Sequence, residues 1–165
     1  MTSDVMNIKK DRLRYTKNKL SSTLAILGIV FDALYFISIY SSDVGNYFYN
    51  YIIGASVVYN LLFLLCVFLS SEGVKNYKLG YAIALIAVGI MQVGRIFYIP
   101  LKAHSSMVSV GVEMVPAMDD KQFIYVIVCL VLSAAACVAA GVIGICKTCV
   151  LEGYNKQLAE AEARA

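Results

Sequence analysis

The sequence predicts an all-α membrane protein: a four-transmembrane-helix bundle with both termini cytoplasmic and one longer extracytoplasmic loop between helices 3 and 4. Three observations predict it. Hydrophobic residues make up 60% and charged residues 15% of the 165 residues, against roughly 45–50% and about 25% in soluble domains. A single soluble domain of this length could not hide so much apolar surface, and lipid is the simplest cover for it. Four segments, 20–40, 51–69, 79–99 and 123–146, are apolar over about the 20 residues that a helix needs to cross a bilayer core. Eleven Lys and Arg fall before the first segment, between the second and third, or after the fourth, and two fall in the other loops. That asymmetry sets orientation, because cytoplasmic segments carry the excess of Lys and Arg.

The N-terminal segment 1–19, with "KKDRLRYTKNK", is basic and juxtamembrane. Its expected role is to set topology and to touch anionic headgroups, at about 1 kcal/mol per basic residue near the surface. No small-residue cleavage site follows the first apolar run, so that run is expected to remain as an anchor. The first span, 20–40, carries one carboxylate, Asp32, about 18 Å from Leu20 at a helical rise of 1.5 Å per residue. The following "NYFYNY", 46–51, is expected at the outer interface, where Tyr buries its ring and keeps its hydroxyl wet.

The second span, 51–69, brings Asn60 to a similar depth, and the third, 79–99, brings Gln92. Arg95 follows Gln92 by one turn on the same helix face, about 5 Å nearer the outside. A lone carboxylate in hydrocarbon is costly, and a guanidinium beside it offsets the cost. Side chains lean toward the helix N-terminus, which aims Arg95 at Asp32, while snorkelling would draw it outward to water. Matched depth motivates one intramembrane polar network of Asp32, Asn60, Gln92 and Arg95. Pro100 ends the third span, since Pro cannot continue a hydrogen-bonded turn without loss.

In the outer loop, 100–122, "MVSVGVEMV" alternates apolar and polar positions with the period of a short strand or interfacial ribbon, suited to a lid or a docking edge. The fourth span, 123–146, carries two stripes at helical spacing, Ser133, Cys137, Gly141 and Ala136, Ala140, Gly144. Small residues mark helix contacts in a bilayer, where close packing replaces the hydrophobic effect. Gly80, Ala84 and Ala87 in the third span add to them. These faces receive either helices of the same bundle or a helix from another subunit. The tail, 147–165, is helix-prone and is expected to project as a short solvated helix.

Chemistry is sparse. "CKTC", Cys146 to Cys149, supplies two of the four thiolates of a structural zinc site, and no βαβ pattern surrounds it to suggest a redox pair. The single His104, in a loop with Met107, Met114 and Met118, lacks the spacing of a Cu(I) site. No nucleophile is matched to a base, and no phosphate-cradling loop appears, so no catalytic residue, metal or cofactor is expected. A carboxylate in the first of four spans resembles the small multidrug resistance transporters, in Asp32 alone; the long outer loop and the strong charge bias depart from that family. The expected function is a non-catalytic accessory or assembly subunit of the cell membrane. Its expected partners are the bilayer and other membrane subunits or further copies of itself, not nucleic acid. The alternative is a small proton- or ion-coupled transporter using Asp32.

Overall fold

The computed structural model describes residues 2–40, 51–110 and 113–163. The elements are α1 (Thr2–Tyr15), α2 (Lys19–Tyr40), α3 (Tyr51–Lys75), α4 (Leu79–Arg95), α5 (Pro100–Ser105), β1 (Met107–Val110), β2 (Glu113–Pro116) and α6 (Asp120–Glu162). Four helical stretches, Lys19–Tyr40, Gly54–Lys75, Leu79–Ser105 and Asp120–Ala161, are long and apolar enough to cross a membrane. They pack as a bundle in which α6 lies against both α2 and α4, and α3 lies against the same two helices from the opposite side.

The spanning helix α2 buries small and polar residues along one stripe and turns most of its large apolar ones outward. On α2 the buried stripe is Ser21, Ser22, Ala25, Gly28, Asp32, Tyr35 and Ile39, at helical spacing. Ile26, Leu27, Val30, Leu34 and Ile37 are exposed on the same helix. This is the reverse of a water-soluble helix, and it follows from the solvent: lipid accepts Leu and Ile freely, whereas close packing and hydrogen bonds hold helices to each other. Both stripes of α6 are buried inside the chain. Ser133, Ala136 and Cys137 lie against Gly28 of α2, and Ser21 Oγ donates to the Ala140 carbonyl. Gly141 and Gly144 lie against Ala82 of α4. The contact at Gly141 is backbone to backbone, since a Cβ there would stand 2.7 Å from the Ala82 carbonyl oxygen.

At the end bearing most of the basic residues, polar groups tie the turns together. The α3–α4 turn is a Schellman motif: Lys78 N–H donates to the Gly73 carbonyl (3.1 Å) and Tyr77 N–H to Val74 (3.1 Å). Tyr77 takes the left-handed position usually held by Gly, with φ 57°, at roughly 1–2 kcal/mol. Asn18 N–H donates to the Lys75 carbonyl (3.0 Å), Lys147 Nζ to Asn18 Oδ1 (2.9 Å), and Ser22 and Ser71 share a 2.9 Å hydrogen bond. Four segments therefore meet in one polar layer: the α1–α2 junction, α3, its turn into α4, and α6.

The opposite end is closed by the chain itself. Pro100 does not stop the helical path at the third span; it opens α5. Having no N–H, it cannot donate to the Ile96 carbonyl, and Leu101 N–H reaches that oxygen instead (3.1 Å). The alternating stretch is split into two strands, β1 and β2, paired antiparallel with Met107 opposite Pro116 and Val110 opposite Glu113. Ala117 N–H donates to the Ser106 carbonyl (2.9 Å), which returns the chain to the bundle. Met118 and Ala103 are fully buried with Tyr35, Ile39, Ile99, Val126 and Leu130, while Met107 and Met114 are exposed. The segment is thus a lid whose roots join the core.

The helix of the fourth span begins at Asp120 and does not end at Cys146. It continues to Glu162, so span and tail are one rod, with α1 lying beside its distal part. Residues 46–50 of the aromatic cluster expected at the interface, and 111–112 of the alternating stretch, lie outside the described residues.

Glycine substitutions will separate close packing from intrinsic propensity. Gly141→Ala is expected to lower stability by about 1–3 kcal/mol through overpacking. Gly94→Ala, where no atom lies within 4 Å of the added Cβ, is expected to raise it by about 0.5–1 kcal/mol. Thermal unfolding of the two variants in one detergent checks both signs.

Candidate intramembrane polar site

Asp32, Gln92, Arg95 and Ser133 meet at the level where α2, α4 and α6 cross. Arg95 Nη1 donates to Asp32 Oδ1 at 2.7 Å and to Gln92 Oε1 at 3.1 Å. Gln92 Nε2 donates to the same Asp32 oxygen at 2.8 Å and approaches Ser133 Oγ at 3.2 Å. Ser133 Oγ in turn donates to the Gly28 carbonyl at 2.8 Å. Asp32 is 1% and Arg95 8% exposed, so this is a buried ion pair. The two residues come together because each lies on its helix's inward stripe, Arg95 one turn outward of Gln92, which is level with Asp32. The N-terminal lean of the Arg95 side chain carries it inward to Asp32.

The guanidinium is also held between two rings. Its carbon lies 4.5 Å from the centre of the Tyr35 ring and 4.6 Å from that of Tyr59. Cation–π contacts of this kind contribute about 0.5–2 kcal/mol each, most when desolvated. Tyr35 is one turn beyond Asp32 on α2, and Tyr59 is on α3, so Arg95 links two helices to its own. Sequence reasoning did not assign the two tyrosines to this site. The signal available for Tyr35 is its i+3 spacing from Asp32 on the buried stripe. No comparable pattern marks Tyr59.

Asn60 does not join the other three network residues. It is buried on α3, and neither its Nδ2 nor its Oδ1 has a hydrogen-bond partner among the described residues. Depth alone brought it into the expected network; the rotation of α3 about its axis places Tyr59, its neighbour, against the guanidinium. Asn60 instead lines a cleft of about 160 Å³ between α2 and α3, together with Asp32, Ala33, Phe36, Val57 and Leu64. Ser133, expected only as a packing residue, is both: it belongs to the α6 stripe and hydrogen-bonds Gln92 and Gly28.

A second hollow opens on the other side of the guanidinium. About 340 Å³ is enclosed by Tyr35 of α2, Ala55, Ser56 and Tyr59 of α3, and Met91, Gly94 and Arg95 of α4, with Tyr98 and Ile99 beyond them. Arg95 Nη2, Tyr35 Oη and Ser56 Oγ are buried with no hydrogen-bond partner among the described residues. Each lies on a residue that lines this space.

The remaining candidates are dispersed. Cys146 and Cys149 are exposed free thiols. His104 stacks on Phe123 with ring centres 4.3 Å apart, and its Nδ1 is 3.9 Å from Asp120 Oδ1. Among the described residues, no three His, Cys, Asp or Glu come together. No protein-family model matches the chain, and no curated protein or solved structure is significantly similar to it.

The ion pair predicts strong coupling. Asp32→Asn and Arg95→Gln are each expected to cost about 3–5 kcal/mol, because each strands a buried charge. The double variant is expected to cost less than their sum by about 1–3 kcal/mol, measured by denaturation in a mixed-detergent system. Asn60→Leu is expected to act in the opposite direction. Removing an amide with no partner should stabilise by about 1 kcal/mol, seen as a raised melting temperature.

Proposed function

We propose that the chain is a non-catalytic protein of the cell membrane, with both termini cytoplasmic, that serves as an accessory or assembly subunit by packing against other membrane helices. The outward face of α4 carries this reading. Gly80, Ala87 and Gly94 are exposed there on one stripe with Met91, with Ala84 half-buried between them. Nothing lies within 4 Å of where a Cβ would stand on Gly80 or Gly94. Small residues turned to lipid gain nothing from it, whereas they let a neighbouring helix approach closely. The stripes of α6, by contrast, already receive α2 and α4. The occupant of the α4 face is a helix of another subunit or of a second copy.

A second reading has its own observation. Asp32 and Asn60 line one cleft, and an ionisable residue at such depth is a recurrent element of ion pathways. In that reading the chain is a small proton- or ion-coupled transporter using Asp32. Against it, Asp32 Oδ1 already accepts from both Arg95 and Gln92, which engages the carboxylate in holding α2 to α4.

Purification from the native membrane in mild detergent is expected to bring down a stoichiometric membrane partner, and Gly80→Leu or Ala87→Leu to release it. Recovery of the chain alone would remove the accessory reading. Proton flux into proteoliposomes is expected to be the same for wild type and Asp32→Asn; a flux abolished by that substitution would favour the transporter.

A further inference from the structure

Cys146 and Cys149 are both exposed free thiols, one turn apart on one face of α6, while Thr148 between them is buried. A tertiary contact fixes their depth. Lys147 Nζ donates to Asn18 Oδ1 at 2.9 Å, which sets the two thiols level with the junction where α2 starts. Lys19 opens α2, Lys75 closes α3 and Lys78 stands before α4, so this level is the edge of the apolar bundle. Both cysteines lie within about 3 Å of Lys147 along the helix axis.

The face they share is turned away from the rest of the chain. Leu132, Ala135, Val142 and Cys146 follow one another at helical spacing and are all exposed. The groove beside Arg14 of α1 is formed by another face of α6, with Leu151, Asn155 and Leu158. Beyond the edge, Lys156 is exposed two turns past Cys149 and in line with it. An apolar strip, two thiols and a cation thus succeed each other along one side of the rod.

We propose that Cys146 and Cys149 are a site of S-acylation that takes a long-chain acyl group from its coenzyme A thioester. The three parts of that substrate match the three levels of the site. Its acyl chain lies in lipid along Leu132, Ala135 and Val142, its thioester carbonyl comes to the polar edge at the thiols, and its phosphates project into water beside Lys156. A cysteine thiolate attacks the thioester carbonyl carbon and forms a new C–S bond. The bond from that carbon to the coenzyme A sulfur breaks, and the departing thiolate takes up the proton that the cysteine gave. Thiols at a membrane edge are where such acylation occurs in general. Cys66 of α3 is exposed as well, but it lies nine residues before Lys75, about 13 Å inside the edge. A thiolate at that depth has no water to solvate it, so exposure alone does not make Cys66 a site. The inference rests on the cytoplasmic placement of this end, where long-chain acyl coenzyme A is held.

The test uses the full chain in unsealed vesicles of its native membrane, incubated with alkyne-tagged palmitoyl coenzyme A. The chain is isolated and read for the tag before and after neutral hydroxylamine, which cleaves thioesters. The tag is expected on the wild type, removed by hydroxylamine, unchanged in Cys66→Ala and lost in Cys146→Ala/Cys149→Ala. Should the double variant fail to fold, peptide mapping of the tagged wild type locates the acyl group without it. An untagged wild type, a tag that resists hydroxylamine, or a tag carried by Cys66 would overturn the proposal. A membrane-impermeant maleimide on sealed right-side-out vesicles tests the orientation separately. Cys149 labelled from outside would overturn the orientation, whereas Cys149 shielded there yet untagged by the acyl donor would overturn the acylation alone.

Discussion

A charge inside hydrocarbon has to be matched, and the pairing of Arg95 with Asp32 is the contact on which the rest of the bundle depends. Either group alone in a bilayer costs several kcal/mol. Their 2.7 Å contact therefore fixes the height of α4 against α2. Gln92, one turn away, satisfies both partners at once, and Ser133 extends the chain of hydrogen bonds to the backbone of Gly28. Above this layer lies an apolar cluster around Tyr35, Ile39, Met118 and Leu130, and below it another around Ala25, Val67, Leu85 and Ala140. The polar layer divides the core in two and sets the register of both halves.

Apolar contact alone could not supply that register. Lipid chains compete for every Leu and Ile on equal terms, so a bundle in a bilayer is held by close approach and by groups that lipid cannot satisfy. The backbone contact of Gly141 with Ala82 is the first kind, and the serines are the second. Ser21 reaches the Ala140 carbonyl and Ser22 reaches Ser71. Closure of the opposite end is different in character: Met118 and Ala103 are packed into the upper cluster by a segment of a short helix and a hairpin. The molecule thus has a hydrogen-bonded end and a plugged end.

Arg95 is the point at which α2, α3 and α4 meet. A guanidinium can serve several partners at once because its donors are fixed in a planar fork. Here one nitrogen is committed to Asp32 and Gln92, the plane is held between Tyr35 and Tyr59, and the other nitrogen is buried without a hydrogen-bond partner among the described residues.

Sequence by itself determined the four spans, because 20-residue apolar runs have few other uses. It also determined the depth of each polar residue, because helical rise is constant. Asp32 and Gln92 were legible at one level for that reason, whereas the choice of Arg95 between leaning inward to Asp32 and snorkelling to water was made only by the packed helices. Rotation about the helix axis is not legible in the same way when a helix is apolar all round. That is why Asn60, at the right depth, stands outside the network, and why Tyr59 beside it, with no polar pattern to mark it, lies against the guanidinium. The alternating stretch of the lid showed strand character; only tertiary structure split it into two strands and buried Met118 beyond them. Pro100 was legible as a break, but a missing N–H says where a hydrogen bond is lost and not where the chain goes next. The hollow beside Arg95 was decided by tertiary structure alone, since it is bounded by three helices that meet only when the bundle is assembled.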